Sequence, residues 1–253
     1  MNLAKGDPTM PPPRKRADLL LVERGLFESR ARAQAAIEAG LVTANDKPVT
    51  KPSEGIAADA VLQAQPAHPF VSRGGVKLMG ALEQYPIDIE DHVCLDVGAS
   101  TGGFTEVLLT QGASVVFAVD VGRGQLHPSL RDHPRIVSME ETDIRSLEGK
   151  RLPARPDIVV IDVSFISLKA VLPVALSLAA APMHLLALIK PQFEAARKHS
   201  KRGIIRDADV HRSVCDDIAA FAASLGCTEI RVFPSPITGR DGNIEFFIGA
   251  RRG

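Results

Sequence analysis

At 253 residues the chain only modestly exceeds the usual size of one domain, so one or two domains are expected. Hydrophobic residues make up 45% and charged residues 24%, the balance of a soluble globular protein rather than a disordered or membrane-spanning one. Thirty basic residues against thirty acidic ones exclude a histone-like polycation. The charge is uneven, however: residues 1–80 hold 11 Lys/Arg against 8 Asp/Glu, and the remainder carries the compensating negative charge. Cys94, Cys215 and Cys227 read as reduced thiols, which places the chain in the cytoplasm rather than among disulfide-stapled secreted proteins. The seven histidines show no ligand spacing and there is no C-x-x-C, so no metal is expected.

Residues 1–13 read as a disordered leader with three consecutive prolines and no signal-peptide pattern. A compact unit is expected over 14–65. Leu19, Leu20 and Val22 at helical spacing give a helix over 17–24, stopped by Gly25. Ser29 caps a second helix over 30–39, stopped by Gly40, with Ala33, Ala36 and Ile37 inward and Arg30 and Arg32 outward. Short strands follow at 41–43, 48–49 and 60–62, joined by turns at Asn45-Asp46 and Pro52-Ser53. Six basic residues fall between Arg14 and Arg32, and arginines fixed on helices reach phosphates bidentately; Arg14, Arg16, Arg30 and Arg32 are therefore candidate RNA contacts. Asp18, Glu23 and Glu28 interleave with them, so an ordinary solvated face explains the charge equally well.

Residues 66–75 read as a linker ending in Ser72-Arg73-Gly74-Gly75, with Arg73 a further candidate for RNA. A helix over 76–84 would place Lys77 near its N-terminus, where the macrodipole disfavours a cation. Next comes Val93-Cys-Leu-Asp96-Val-Gly98-Ala-Ser100-Thr101-Gly102-Gly103-Phe104, an apolar strand, a glycine-rich turn and a helix over 104–111. This is the first unit of a doubly wound sheet, whose ligand sits at the strand's carboxyl end. Ser100 stands where a dinucleotide fingerprint wants its second glycine, and no G-K-[ST] follows, so a nucleoside without phosphates is the better fit. S-adenosylmethionine is such a ligand. Asp96, Gly98, Ser100, Thr101, Gly102, Gly103 and Phe104 are its candidate contacts, with Asp120, ending the strand over 114–119, placed for the ribose hydroxyls. The alternative is a strand-to-helix turn with no ligand.

A third strand over 135–138 leads to Asp143, a candidate for the adenine edge or an ordinary loop carboxylate. The strand over 157–161 ends in Asp162, and the strand over 184–189 ends in Lys190. A charge directly after a fully apolar run is costly unless paired, and such groups concentrate at sites. Between them a helix is expected over 168–180; the apolar stretch around 170–183, broken by Pro173 and Pro182, is shorter than the ~20 residues a bilayer needs and reads as buried. Arg197, Lys198, Lys201 and Arg202 form a basic loop, either solvated or contacting phosphates. A helix over 207–225, a strand over 227–233, a Pro/Gly loop over 235–242 and a closing strand over 244–250 carrying Glu245 complete the chain. Seven strands with alternating helices fit an α/β fold of the class I methyltransferase type: Rossmann-like, with a mixed sheet whose last strand is antiparallel.

Two resemblances sharpen this reading. Arg16-Ala-Asp-Leu-Leu, Ser29-Arg30-x-x-Ala33, Ile37-x-x-Gly40 and Lys51-Pro52-Ser53 resemble an S4 RNA-binding domain, a small α+β unit, although that family usually has Val-Asn-Gly where this chain has Ala44-Asn45-Asp46. The spread of Lys77, Asp162, Lys190 and Glu245 is similar to the catalytic tetrad of FtsJ-like 2′-O-methyltransferases. The surrounding motifs, Asp-Val-Gly-Ala-Ser-Thr-Gly-Gly-Phe-Thr, Val-Ile-Asp162-Val-Ser-Phe-Ile-Ser-Leu, Ile-Lys190-Pro-Gln-Phe-Glu and Asn-Ile-Glu245-Phe, resemble the TlyA (haemolysin A) family. The resemblance implies a methyltransferase domain over 76–253, S-adenosylmethionine as cofactor, and ribosomal RNA or ribosomal subunits as partner. It also implies transfer to a cytidine ribose 2′-hydroxyl, with Lys190 as base supported by Lys77, Asp162 and Glu245. General-base help is worth on the order of 10²–10⁴ in rate. A non-catalytic ribosome-assembly factor is the alternative. A membrane-active haemolysin, the activity that the family's name suggests, is disfavoured by the lack of a spanning or basic amphipathic segment. Target nucleotide, subunit and oligomeric state stay open.

Overall fold

A computed structural model of the chain describes residues 12–147, 152–196, 203–239 and 242–253. The chain divides into two compact units, 1–69 and 70–253. In the first, strand β1 (Arg14–Arg16) leads into α1 (Ala17–Glu23) and α2 (Arg30–Glu38). Then follow β2 (Val42–Ala44), β3 (Lys47–Pro48), β4 (Gly55–Ala57) and β5 (Leu62–Ala64). Ser29 caps α2 by accepting from the Arg32 amide. The expectation missed β1 and β4, which pair antiparallel with each other, and placed β5 two residues early. Strands of two or three residues are too short to show an alternating pattern. The hairpin from β2 to β3 turns through Asn45 (φ 49°) and Asp46 (φ 61°). Both short acidic or amide side chains tolerate the left-handed region that such two-residue turns demand. Leu20, Leu21, Phe27, Ala33, Ile37, Val42 and Ile56 fill this unit's own core.

The second unit begins with α3 (Arg73–Gln84), capped by Ser72. The sequence reading starts this helix at Val76; the structure starts it three residues earlier, so Lys77 sits in its second turn rather than at its dipole end. In chain order the remaining elements are β6 (Val93–Val97), α4 (Gly103–Thr110), β7 (Val115–Val119), α5 (Pro128–Arg131), β8 (Ile136–Met139), a 3₁₀ turn at Ile144–Ser146 and β9 (Ile158–Ile161). After them come α6 (Leu168–Leu178), β10 (Met183–Ile189), α7 (Pro191–Glu194), α8 (Ala208–Ser224), β11 (Cys227–Pro234) and β12 (Phe246–Arg252). The helix expected over 168–180 is α6, which ends two residues earlier at Leu178, and β10 begins at Met183, one residue before the expected strand; Pro182 lies between them and cannot continue a helix.

The seven strands lie in the order β11-β12-β10-β9-β6-β7-β8, with β12 antiparallel to both its neighbours and the rest parallel. Parallel strands must be covered on both faces, which is why they read as continuous apolar runs. One face packs Leu95, Phe117, Val159 and Leu185 under α6 and α8. The other packs Cys94, Val116, Val160 and Phe247 under α3 and α4. The order reverses at β6 and β9, whose carboxyl ends therefore open onto the crevice in which such sheets bind ligands.

Candidate active site

That crevice holds a cavity of about 480 Å³, within the range of a nucleoside-sized ligand. Gly98, Ser100, Asp120 and Asp143 line it together with Asp162 and Phe165. Gly98 has φ +85°, and a Cβ there would stand 2.4 Å from the Asp162 carbonyl oxygen. Backbone and cavity thus meet where no side chain fits, the cradle the glycine-rich turn requires. Both oxygens of Asp120 hold the rim, accepting from the Ser100 amide (2.9 Å) and the Gly122 amide (2.7 Å). Ser100 donates to Gln125 (3.1 Å), which closes the same rim. Glu140 braces the 124–126 loop by accepting from the amides of Gly124, Gln125 and Leu126, and these bonds lower its pKa.

The other candidate cofactor contacts lie elsewhere. Asp96 is fully buried, accepts from the Thr105 hydroxyl (2.6 Å) and leaves its second oxygen without a partner. Burial pushes its carboxyl up to about 7. Thr101, Gly102, Gly103 and Phe104 build the turn and the start of α4 behind the cavity and are not part of its lining. Asp143 does line the cavity, but its carboxylate is gripped by the Arg145 guanidinium at 2.6–3.1 Å and by the Arg145 amide at 2.9 Å. That grip holds the carboxyl below its ordinary range.

Three strand-end charges, Asp162, Lys190 and Glu245, form two pairs together with Lys77 of α3, and Asp162 reaches the cavity lining. Lys190 Nζ lies 2.6 Å from Asp162 Oδ1 and donates to Ser164 (2.9 Å). Lys77 Nζ lies 2.6 Å from Glu245 Oε2, both side chains almost fully buried. The last antiparallel pair of β10 and β12, Ile189 with Phe246, brings Lys190 and Glu245 to adjoining strand ends, so both pairs meet at one edge of the sheet. Gly239 lies against the Glu245 carboxylate, where a Cβ would come within 2.4 Å of Oε1. A buried ion pair gains little over an apolar pair in stability, so four charges gathered here make this edge the candidate site.

Sequence reasoning missed Ser164 and Phe165, which lie inside the quoted motif around Asp162, and Gln125 and Arg145, which lie in loops outside every quoted motif. Phe165 carried a signal only in its backbone. It is 90% exposed, adopts φ +64°, and stands 4.9 Å from the Phe193 ring at the cavity mouth. A bulky residue in the left-handed region is strained, and such strain gathers at functional sites.

The RNA candidates fare differently. Arg16 and Arg30 both pair with the buried Asp18 (3.0 and 2.9 Å), which Gln34 also reaches. The Arg16 guanidinium leads in holding the Asp18 carboxyl far below its usual range. The two arginines stay about half exposed while locked in place. Arg14 donates to the Gly55 carbonyl, Arg32 is half-buried on α2, and Arg73 donates to the Thr238 carbonyl (2.5 Å). Arg197, Lys198, Lys201 and Arg202 lie outside the described residues. Among the described residues, no group of three or more His, Cys, Asp or Glu is placed to hold a metal ion, and no helix is long and apolar enough to cross a membrane.

Comparison with known proteins agrees with this geometry. Residues 70–252 match the FtsJ-like methyltransferase family and residues 15–62 the S4 domain. The 16S/23S rRNA (cytidine-2′-O)-methyltransferase TlyA of Mycobacterium tuberculosis is 42% identical over 241 residues, 94% of this chain and 90% of the relative. Hemolysin A of Brachyspira hyodysenteriae is 38% identical over 91% of this chain and 97% of its own length. A solved structure from Streptococcus thermophilus, described as a "Putative hemolysin", superposes with a TM-score of 0.77 at 40% identity, covering 95% of this chain and 89% of that one. The chain belongs to the TlyA (haemolysin A) family of FtsJ-like methyltransferases, with an S4 domain in front of the methyltransferase domain.

Proposed function

We propose that the protein transfers a methyl group from S-adenosylmethionine to the ribose 2′-hydroxyl of a cytidine in ribosomal RNA. The observation that carries the reading is the meeting of two lysine–carboxylate pairs beside a cavity of nucleoside size. The cavity suits the cofactor: Gly98 leaves the backbone open to it, Asp120 at the end of β7 is in the lining and is the residue we assign to the ribose, and the lining lacks the second glycine a pyrophosphate would want. When bound, S-adenosylmethionine supplies an electrophilic methyl group on a sulfonium.

The chain's own task is to align a hydroxyl in line with that methyl and to take its proton. Lys190, fixed by Asp162 and Ser164, is the group we assign to the proton. Lys77 and Glu245 hold the neighbouring strand end, restrict the hydroxyl's position and keep water out of the edge. A nucleotide in structured RNA reaches such a site only when unstacked, and the exposed Phe165 ring offers it a stacking face at the cavity mouth. Arg16 and Arg30, locked on Asp18, present oriented donors for phosphates in the S4 domain. Ribosomal RNA or a ribosomal subunit is then the partner and the cytoplasm the place of work.

The test is Lys190→Ala offered ribosomal subunits and labelled cofactor. Methyl transfer should fall by about 10²-fold or more, while cofactor affinity stays within a few-fold of the wild-type value. Undiminished transfer would remove Lys190 from the reaction.

A further inference from the structure

We infer that Glu194 is a positioning residue that sets the register of Lys190 against Asp162. The inference rests on the proposed role of Lys190. Lys190 is the N-cap residue of α7, and its carbonyl accepts from the Phe193 amide (2.9 Å), so the direction in which it leaves β10 is tied to the placement of α7. Yet α7 has only four residues. A single turn is unstable by itself, since nucleating a helix fixes several residues for one hydrogen bond. Something outside must hold it.

Glu194, the last residue of α7, does so. Its Oε1 accepts from the Leu168 amide (2.8 Å) and its Oε2 from the Ser167 hydroxyl (2.5 Å). Ser167 is the N-cap of α6, its hydroxyl accepting in turn from the Lys169 amide (3.1 Å). A carboxylate is at home at the start of an eleven-residue helix, where unpaired amides and the macrodipole favour negative charge. The site's loop 162–168 is thereby stapled to 190–194 at two points. Lys190 grips its front end through Asp162 and Ser164; Glu194 grips its back end through Ser167 and Leu168. Among the described residues, Lys169 on α6 and Asp217 on α8, paired with each other at 2.6 Å, are the charged groups that act on the Glu194 carboxyl. Without the Glu194 bonds, the back end of the loop comes free of α7 and only the Lys190 grip and the Phe165–Phe193 contact still join them, while the cavity walls on β6, β7 and the 124–126 loop keep their own bonds.

The full-length protein is assayed as wild type, Glu194→Gln, Glu194→Ala and Lys190→Ala, with ribosomal subunits from a strain lacking the gene and tritiated S-adenosylmethionine. An ångström of misplacement costs about 10²-fold in rate, so Glu194→Ala should lower kcat by about 10–100-fold, with the cofactor's Kd within twofold of wild type. Glu194→Gln keeps an acceptor for Leu168 and a polar partner for Ser167 and should stay within about threefold of wild type. Wild-type kcat in Glu194→Ala, with Lys190→Ala inactive, overturns the inference and leaves the role of Lys190 standing. Undiminished transfer in Lys190→Ala instead defeats the reading on which it rests. A Glu194→Ala loss that tracks weakened cofactor binding or a lowered Tm, or a Gln variant as poor as Ala, also overturns it.

Discussion

At the scale of single residues, the site is made of charges that the fold could not bury singly. Lys77 and Glu245 are 10% and 3% exposed, so removing one strands the other. Glu245→Ala should therefore lower stability by about 3–5 kcal/mol. Urea unfolding would show it, and adding Lys77→Met should recover most of the loss. Asp96 makes a second case. Its folded pKa of about 7 lies well above the ~3.9 of an unfolded aspartate. Between those values the native chain keeps a proton that the unfolded chain releases, so this residue's contribution to stability falls as pH rises from about 4 to about 7, then levels off. Asp96→Asn should flatten that slope, with the variant gaining on wild type between unfolding measurements at pH 5 and pH 8; an unchanged slope would contradict it. The identities of Lys77, Asp162, Lys190 and Glu245 were legible because charges follow apolar runs or stand in recognisable motifs. Their pairing was not, since residues 168 positions apart in the chain meet only after the sheet forms. Nor did the sequence tell that Arg16 and Arg30 share one buried carboxylate, because a charged helix face looks the same whether solvated or anchored.

At the scale of elements, strands and long helices followed from their patterns, and short pieces did not. β1, β4, α5 and α7 have three or four residues each, too few for either period to declare itself. Across 170–183 apolar composition is common to a buried helix and a buried strand, and the break between α6 and β10 was legible through Pro182. The glycine-rich turn between β6 and α4 lines the cavity through Gly98 and Ser100. Gly98→Ala should force a Cβ toward the Asp162 carbonyl at a left-handed position, costing on the order of 1–3 kcal/mol. Since the same backbone carries Asp162, cofactor binding by calorimetry should weaken together with methyl transfer. Tight binding retained in a folded Gly98→Ala protein would show that the close approach does not matter to the ligand.

At the scale of the whole molecule, each of the two units has its own core, and each matches a family of its own. Division of labour is the expected consequence. A fragment of residues 70–253 should fold and bind S-adenosylmethionine within a few-fold of the full chain, yet lose most of its transfer to ribosomal RNA. Gel-shift and cofactor titrations on the two proteins would separate these effects, and a fragment as active as the full chain would assign the first unit no part in substrate capture. The order of the two units was legible from motifs spread along the chain. Their internal register was not, because one-residue shifts in strands of this length leave no trace in composition.

The most direct measurement of the central claim is to label the product. Purified protein, tritiated S-adenosylmethionine and separated ribosomal subunits or naked RNA from a strain lacking the gene would be incubated, and the labelled nucleotide mapped by nuclease digestion. The expected result is a single 2′-O-methylcytidine, absent when Lys190→Ala replaces the wild-type protein. Label on a base, on a ribose other than cytidine's, or on no RNA despite intact cofactor binding would contradict it.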